Sequence, residues 1–387
     1  MTATVAVVVF GLLLGLVGVE LLARRETAKD PEVLVGVDVG FGDENDVYRV
    51  ADATKGYANL IILGSLNVTN DTAKLTRVCD YLYRNDFHFI IYVGFRPGVF
   101  PPRGPDSAFV QEAVSRWGNK FLGLYIFDEP GGKQLDYPIS NPDKIVSRAD
   151  NNSDAALHYV MSVNGFLLLY HDFYYNASDV NLFTSDYGLY WYDYLCGYNS
   201  VFGEFVGNQS RQLSVALTRG AANPLGKDWG VMITWKYNQP PFLEEPEQLY
   251  QDMVSAYQNG AKYIIVFDSP SQFPSTTPYG ILTQQHLDAM KRFWDYTKSN
   301  PRTEKFTANA AYVLPMDYGF GFRGPDDNTW GLWPTNALSA KIWNDTNNLA
   351  QQYGINLDIV YATKIENIPI TLPYSKLIFW NGTTLER

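Results

Sequence analysis

The run Lys120–Gly132, KFLGLYIFDEPGG, constrains this chain more than any other stretch. Seven apolar or small residues, Phe121–Phe127, stop abruptly at Asp128-Glu129 and a Pro-Gly-Gly turn. An unbroken apolar run of that length suits a strand covered on both faces, as in a parallel sheet. Carboxylates at the end of such a strand are costly near a core unless they are solvated, paired or used. In a (β/α)8 barrel the carboxyl ends of the strands form the active-site mouth. The motif therefore predicts a barrel strand and makes Glu129 the first catalytic candidate. The alternative is that Asp128 caps the turn and Glu129 is a solvated loop residue.

The rest of the chain supplies the other strands. Apolar runs predict them at Val33–Val39, Asn59–Leu63, His88–Val93, Asn181–Ser185, Ser200–Phe205, Trp229–Trp235 and Lys262–Phe267. Helical patterns lie between them, near Val50–Lys55 and over Ala73–Asn85, Ser107–Trp117, Asp154–Tyr170, Gln209–Arg219 and Glu247–Asn259, with Gln284–Lys298 closing the unit. Eight strands alternating with helices over 31–300 match the size of a (β/α)8 TIM barrel, about 250 residues. A doubly wound open sheet remains an alternative, but it leaves the polar and aromatic residues after nearly every strand unexplained.

A second α/β unit is expected over 306–387, with strands Ala310–Leu314, Leu357–Tyr361 and Lys376–Trp380 and a helix Ser339–Tyr353 begun by a serine cap. This is a small flavodoxin-like layer. A complete domain of that type continues further, so the unit is either a minimal version or truncated. It also carries Gly319, Gly321 and Gly324, which spell GxGxxG. A dinucleotide fingerprint needs those glycines to open a helix, whereas PDDNTWGLWP follows here, so nucleotide binding is not expected.

Residues Val5–Val19 are uncharged and almost wholly apolar. The run is short for a spanning helix, which needs about 17–25 residues, and reads as a signal-peptide core or a signal anchor over 1–25. Arg24-Arg25 after it would by charge alone keep the body in the cytoplasm. The sequons at Asn67, Asn70, Asn151, Asn176, Asn208, Asn344 and Asn381 argue the other way. With them weighed above the charge rule, the body is expected outside the cytoplasm, tethered to a membrane.

The net charge of −11 and the lack of a basic run argue against nucleic acid as a partner. Only Cys79 and Cys196 occur, far apart and without a CxxC, and His88, His158, His171 and His286 lack metal-ligand spacing. Neither a metal nor another cofactor is expected. Aromatics reach 15% of residues against 18% charged, a balance that suits a folded protein with surfaces on which sugars stack.

Residues 33–300 resemble the TIM-barrel glycoside hydrolase superfamily. Phe121–Glu129 is similar to the chitinase-type strand-four signature, with Gly123, Ile126 and Glu129 in register. The aspartates of that signature correspond to Leu122, Tyr125 and Phe127, so only the acid at Glu129 carries over. Ala310–Trp380 resembles the glutamine-amidotransferase-like domain that follows the barrel in certain β-galactosidases. Residues 306–387 contain neither Cys nor His, so no amidotransferase nucleophile is present and the unit is expected to be structural, docking on the barrel or joining copies of the chain.

Most glycosidases need two carboxyl groups, one to protonate the leaving oxygen and one as nucleophile or base. Predicted strand ends supply Asp38, Asp128, Glu129, Asp186, Glu204 and Asp268. Glu129 is expected to be the acid. Retaining enzymes of this group place the nucleophile after strand seven, but here that strand ends in Trp235-Lys236. Glu204 is the replacement candidate, followed by Asp186, with Asp128 beside the acid. Tyr190, Trp191, Tyr192, Trp235 and Tyr237 are expected to stack on sugar, with Asp38, Asp268, Arg96 and Lys236 as further substrate contacts. Two functions follow: a membrane-tethered glycoside hydrolase acting on a polysaccharide or surface glycan, or a catalytically inactive barrel that binds glycan or partners in an envelope assembly.

Overall fold

A computed structural model of the chain describes residues 33–94, 102–173, 180–271, 277, 279–304, 306–363 and 374–386. The expected N-terminal anchor, Arg96 and Asn176 lie outside them. Eight parallel strands close into a barrel in sequence order: β1 (Leu34–Val39), β2 (Leu60–Leu63), β3 (His88–Val93), β4 (Phe121–Ile126), β5 (Asn181–Asp186), β6 (Ser200–Phe205), β7 (Asp228–Ile233) and β8 (Tyr263–Asp268). Closure is a six-residue register of β1 on β8, from Leu34 opposite Tyr263 to Val39 opposite Asp268. The expected alternation and the barrel are both present, and the open-sheet alternative is excluded by that closure.

Helices cover the outside. They are α1 (Glu44–Thr54), the single turn α2 (Leu66–Thr69), α3 (Thr72–Arg84), α4 (Ser107–Trp117), α5 (Pro130–Asp136), α6 (Asn152–Phe173), α7 (Tyr190–Cys196), α8 (Arg211–Ala222), α9 (Pro246–Gln258) and α10 (Gln284–Ser299). Two cores follow from the pleat, because successive strand side chains face opposite sides. One set, including Leu34, Ile62, Ile90, Phe183, Phe202 and Ile265, fills the lumen. The other packs between strands and helices.

Local chemistry accounts for where sequence expectation and structure part. Helix α1 starts earlier than the pattern suggested because Asp43 caps it, accepting from the Asn45 and Asp46 amides at 2.8 and 3.2 Å in a capping box. The expected Pro-Gly-Gly turn is the opening of α5, with Pro130 at a first-turn position where its fixed φ favours a helix. The aromatic run after β5 forms α7.

The tail adds β9 (Ala310–Leu314), α11 (Ala337–Tyr353), β10 (Leu357–Tyr361), β11 (Lys376–Phe379) and β12 (Thr384–Glu386). Its sheet has the order β10-β9-β11-β12, with β12 antiparallel to β11 and the other pairs parallel. The cap of α11 is Asn336, not Ser339; Ser339 completes the capping box at the third helical position. The antiparallel β12 was not anticipated.

The tail packs on the barrel through α8. Arg219 Nε lies 2.6 Å from Asp358 Oδ1, and both side chains are fully buried. The guanidinium also donates to the carbonyls of Ile355 (2.7 Å) and Leu357 (2.9 Å) and to Asn259 Oδ1 (2.7 Å). Tyr374 donates to the other Asp358 oxygen at 2.8 Å. Every charge is paired, so removing one partner would cost about 3–5 kcal/mol. The neighbouring Gly220 lets helix and strand touch: a Cβ there would lie 2.3 Å from the Ile359 carbonyl oxygen.

The GxGxxG glycines have a packing role. A Cβ on Gly319 would enter the Trp330 ring, and one on Gly321 would meet Asp327 and Leu135. Trp330 is fully buried against Tyr192 and Tyr159, with ring centroids 4.6 and 5.8 Å away. Among the described residues no helix is long and apolar enough to cross a membrane. Cys79 and Cys196 are buried free thiols.

Candidate active site at the carboxyl mouth of the barrel

Pleat parity sorts the strand-end carboxylates. Asp38 shares parity with lumenal Leu34, and Glu204 with lumenal Phe202. Asp186 and Asp268 have the opposite parity and face the outer layer. After β4 the alternation is broken by two left-handed residues, Phe127 at φ 56° and Glu129 at φ 53°. Non-glycine residues held there carry backbone strain of about 1–3 kcal/mol each, a pattern that concentrates at functional sites. The turn sends the Phe127 ring outward against Phe166 of α6 and brings Asp128 back over the lumen, where it accepts from the Tyr125 hydroxyl.

Tyr125 starts a chain of short contacts. Its hydroxyl lies 2.7 Å from Ser185 Oγ, which lies 2.6 Å from Glu204 Oε1. Three oxygen–oxygen links, from Glu204 through Ser185 and Tyr125 to Asp128, need three protons, and the two hydroxyls supply two. The third belongs to a carboxyl group. Glu204 is its natural holder: the residue is only 4% exposed, and burial, then the charges of Glu129 and Asp128, push its carboxyl well above the usual range.

Lys133, one turn into α5, serves the other end. Its Nζ lies 3.3 Å from Asp128 Oδ2 and 3.2 Å from Glu129 Oε2. The Glu129 amide is fixed on the Ser185 carbonyl at 3.1 Å. The Glu129 side chain keeps 27% of its surface exposed. Partial burial, then the Asp128 charge, raises its carboxyl, while Lys133 opposes the shift. Asp128, Glu129 and Glu204 thus stand together at one mouth, in mutual electrostatic reach.

Asp186 and Asp268 do different work. Asp186 accepts from four backbone amides, Gly131 (2.5 Å), Gly132 (2.7 Å), Tyr187 (2.7 Å) and Gly188 (3.1 Å). It ties the start of α5 to the loop after β5, so its expected place as a catalytic alternate is corrected. Asp268 accepts from the Ile281 and Leu282 amides at 2.8 and 3.2 Å, and burial raises its pKa to about 7. It fixes the Ile281 and Leu282 backbone against the end of β8.

The aromatic expectations divide. Tyr190, Trp191 and Tyr192 are buried in α7; Trp191 lies 5.5 Å from the Tyr361 ring, and Tyr192 packs on Tyr361 and Trp330. They glue the tail to the barrel and offer no face to a sugar, a correction whose cause is that the run is a buried helix. Trp235 is at the rim, edge-on to Phe267 at 4.8 Å. Lys236 and Tyr237 sit in the turn that follows, their amides donating to the Phe242 carbonyl at 2.7 and 2.9 Å; Tyr237 is 43% exposed.

A cavity of about 410 Å³ opens above β1 to β4, lined by Asp38, Phe41, Tyr92, Tyr125, Asp128 and Phe267 among others. Tyr92, Tyr125, Ser185 and Lys133 were not anticipated. Strand parity carried the signal for Tyr92 and Ser185, which share the lumenal parity of their strands. Tyr125 reaches the lumen only because the β3–β4 register shifts near Gly123, and neither that shift nor the left-handed turn that aims Lys133 at two carboxylates left a trace in sequence. Among the described residues no group of His, Cys, Asp and Glu has an arrangement that could hold a metal ion.

No known family profile matches the chain, and no curated protein matches it in sequence. The fold is similar to that of several solved structures. A GH5_18 protein of Streptomyces cattleya in complex with GlcNAc aligns with a TM-score of 0.55 at 11% identity, covering 92% of this chain and 100% of that one. An exo-beta-1,4-mannosidase, Op5Man5 from Opitutaceae bacterium strain TAV5, aligns at 0.53 and 11%, covering 90% and 72%. A polyextremophilic beta-galactosidase of the Antarctic haloarchaeon Halorubrum lacusprofundi aligns at 0.54 and 11%, covering 90% and 69%. At this identity the likeness establishes the shared fold, a TIM barrel with the aligned region extending past it.

Proposed function

We propose that the protein is a glycoside hydrolase. The observation that carries the reading is the meeting of Asp128, Glu129 and Glu204 at the carboxyl mouth of the barrel, with Glu204 linked to Asp128 through Ser185 and Tyr125 and Glu129 held beside Asp128 by Lys133. Glycosidic cleavage needs one carboxyl group to protonate the leaving oxygen and a second to attack the anomeric carbon or activate water. Glu129, partly exposed with a raised pKa, is the acid in this reading. Glu204, on the lumen side, is the second group. Its proton can leave along Ser185 and Tyr125 to Asp128, each hydroxyl passing one proton and receiving another. The similar folds of a mannosidase and a beta-galactosidase support a carbohydrate substrate.

A second reading, a glycan-binding barrel without turnover, is favoured by two observations. Lys133 pairs with both Asp128 and Glu129, and β7 ends in Met232-Ile233 without a carboxylate. Glu129→Gln separates the two. On substrates with poor leaving groups turnover should fall about 10²–10⁴-fold, and much less on activated aryl glycosides. Equal small losses on both substrates, or no turnover in the wild type with sugar binding intact, would select the binding protein.

The proposal extends to location and organisation: residues 1–25 anchor the chain, 31–300 form the hydrolase and 306–387 the supporting tail, with the body outside the cytoplasm. In support, Asn67, Asn70, Asn151, Asn208, Asn344 and Asn381 are all exposed. Protease added to intact cells should shave the body. Protection until lysis would reverse the orientation.

A further inference from the structure

The cavity beside the carboxylate chain has an uneven chemistry. Asp38 is 4% exposed, and its Oδ1 has no hydrogen-bond partner among the described residues. Gly64 makes room for it: a Cβ there would lie 2.2 Å from that oxygen. Four aromatic rings, Phe41, Tyr92, Tyr125 and Phe267, stand around the same space, and Asp128 forms another part of the wall. None of the described lining residues is Lys, Arg or His. The nearby Lys133 is engaged by Asp128 and Glu129.

A buried carboxyl group without a donor is costly, and a donor bound in the cavity that Asp38 lines would offset that cost. A hydroxyl would supply one hydrogen bond and no charge. A primary ammonium supplies several N–H donors and a positive charge, and aromatic faces attract it as well. We propose that this cavity binds the protonated amino group of an amino sugar, with Asp38 as its anionic partner and the ring faces of Tyr92 and Phe41 beside it. The substrate class is therefore a glycan with free, unacetylated amines. Burial, then the charges of Asp128 and Asp268, hold the Asp38 carboxyl well above its ordinary range, and a bound cation would reverse that shift.

The inference deepens the hydrolase reading and rests on it only for the ligand being a sugar. Saturation-transfer NMR titrations of the full chain with glucosamine, galactosamine, N-acetylglucosamine and glucose test it. At least one amine should bind about tenfold or more tightly than the acetylated and neutral sugars. Asp38→Asn should reduce that preference to less than about twofold at an unchanged melting temperature. Equal or tighter binding of N-acetylglucosamine or glucose, no measurable binding of either amine, or an Asp38→Asn protein that keeps the preference would overturn it. If that variant fails to fold, the wild-type ranking decides alone. Turnover of neutral glycans without an amine preference would sink this inference and leave the hydrolase reading standing. Amine binding without turnover of any amino-sugar glycan would do the reverse.

Discussion

Asp186 and Glu204 end neighbouring strands, are both buried, and both have carboxyl groups raised above the usual range chiefly by burial. Their roles are opposite. Asp186 faces outward and satisfies four amides, two at the start of α5 and two in the loop after β5; Glu204 faces the lumen and is met by one serine hydroxyl. A saturated carboxylate is a fastener, whereas one with spare capacity beside other acids is available for chemistry. What separates them is one step of the pleat, and neither residue type nor depth reveals it.

The largest effect that would test this contrast is on turnover. Glu204→Gln should lower it by about 10²–10⁴-fold while leaving the melting temperature unchanged or higher, because a poorly solvated acid is replaced by a neutral isostere. Asp186→Ala should instead destabilise by about 3–5 kcal/mol in a denaturant titration, since it strands several buried amides. If the two variants lost stability equally, the division into fastener and reactive group would fail.

Stability against pH sharpens the picture further. Asp193, buried in α7 and accepting from the Tyr159 hydroxyl at 2.6 Å, is raised by burial to about 8, and Asp268 to about 7, above their unfolded values. The folded state therefore holds protons that the unfolded chain has released. Stability is full below the ordinary carboxylate range and declines as pH rises through about 7 to 8. Scanning calorimetry should give a melting temperature about 5 °C or more higher at pH 5 than at pH 9. A rising curve would mean these carboxyls are compensated in ways the contacts do not account for.

The smallest effects concern aromatics. Trp235→Leu should weaken sugar binding by about three- to tenfold with little change in stability. Trp191→Leu should do the reverse, lowering the melting temperature and sparing affinity. Equal affinity losses would return Trp191 to the mouth.

Much of the barrel was legible because its strands are continuous apolar runs; β3, β6 and α4 agree with expectation at both ends. Glu129 and Glu204 stood out for the same reason, as charges at the ends of such runs. What stayed hidden depends on partners distant in sequence. The aromatic run of α7 reads equally well as a sugar platform or as glue, and only the docking of Tyr361 and Trp330 decides. The reach of Lys133 toward two carboxylates depends on left-handed residues that no local preference announces.

One contact set bears on how this protein could change over evolution. The loop leading from β9 to α11 grips α5, the helix that follows Glu129. Arg323 pairs with Asp136 and Asp327, and Lys144 holds the carbonyls of Gln134, Tyr137 and Gly331 together. The tail is therefore not interchangeable cargo. A barrel recombined with a foreign tail would inherit every strand-end acid and still lose the aim of one of them, so the two units can drift only as a matched pair.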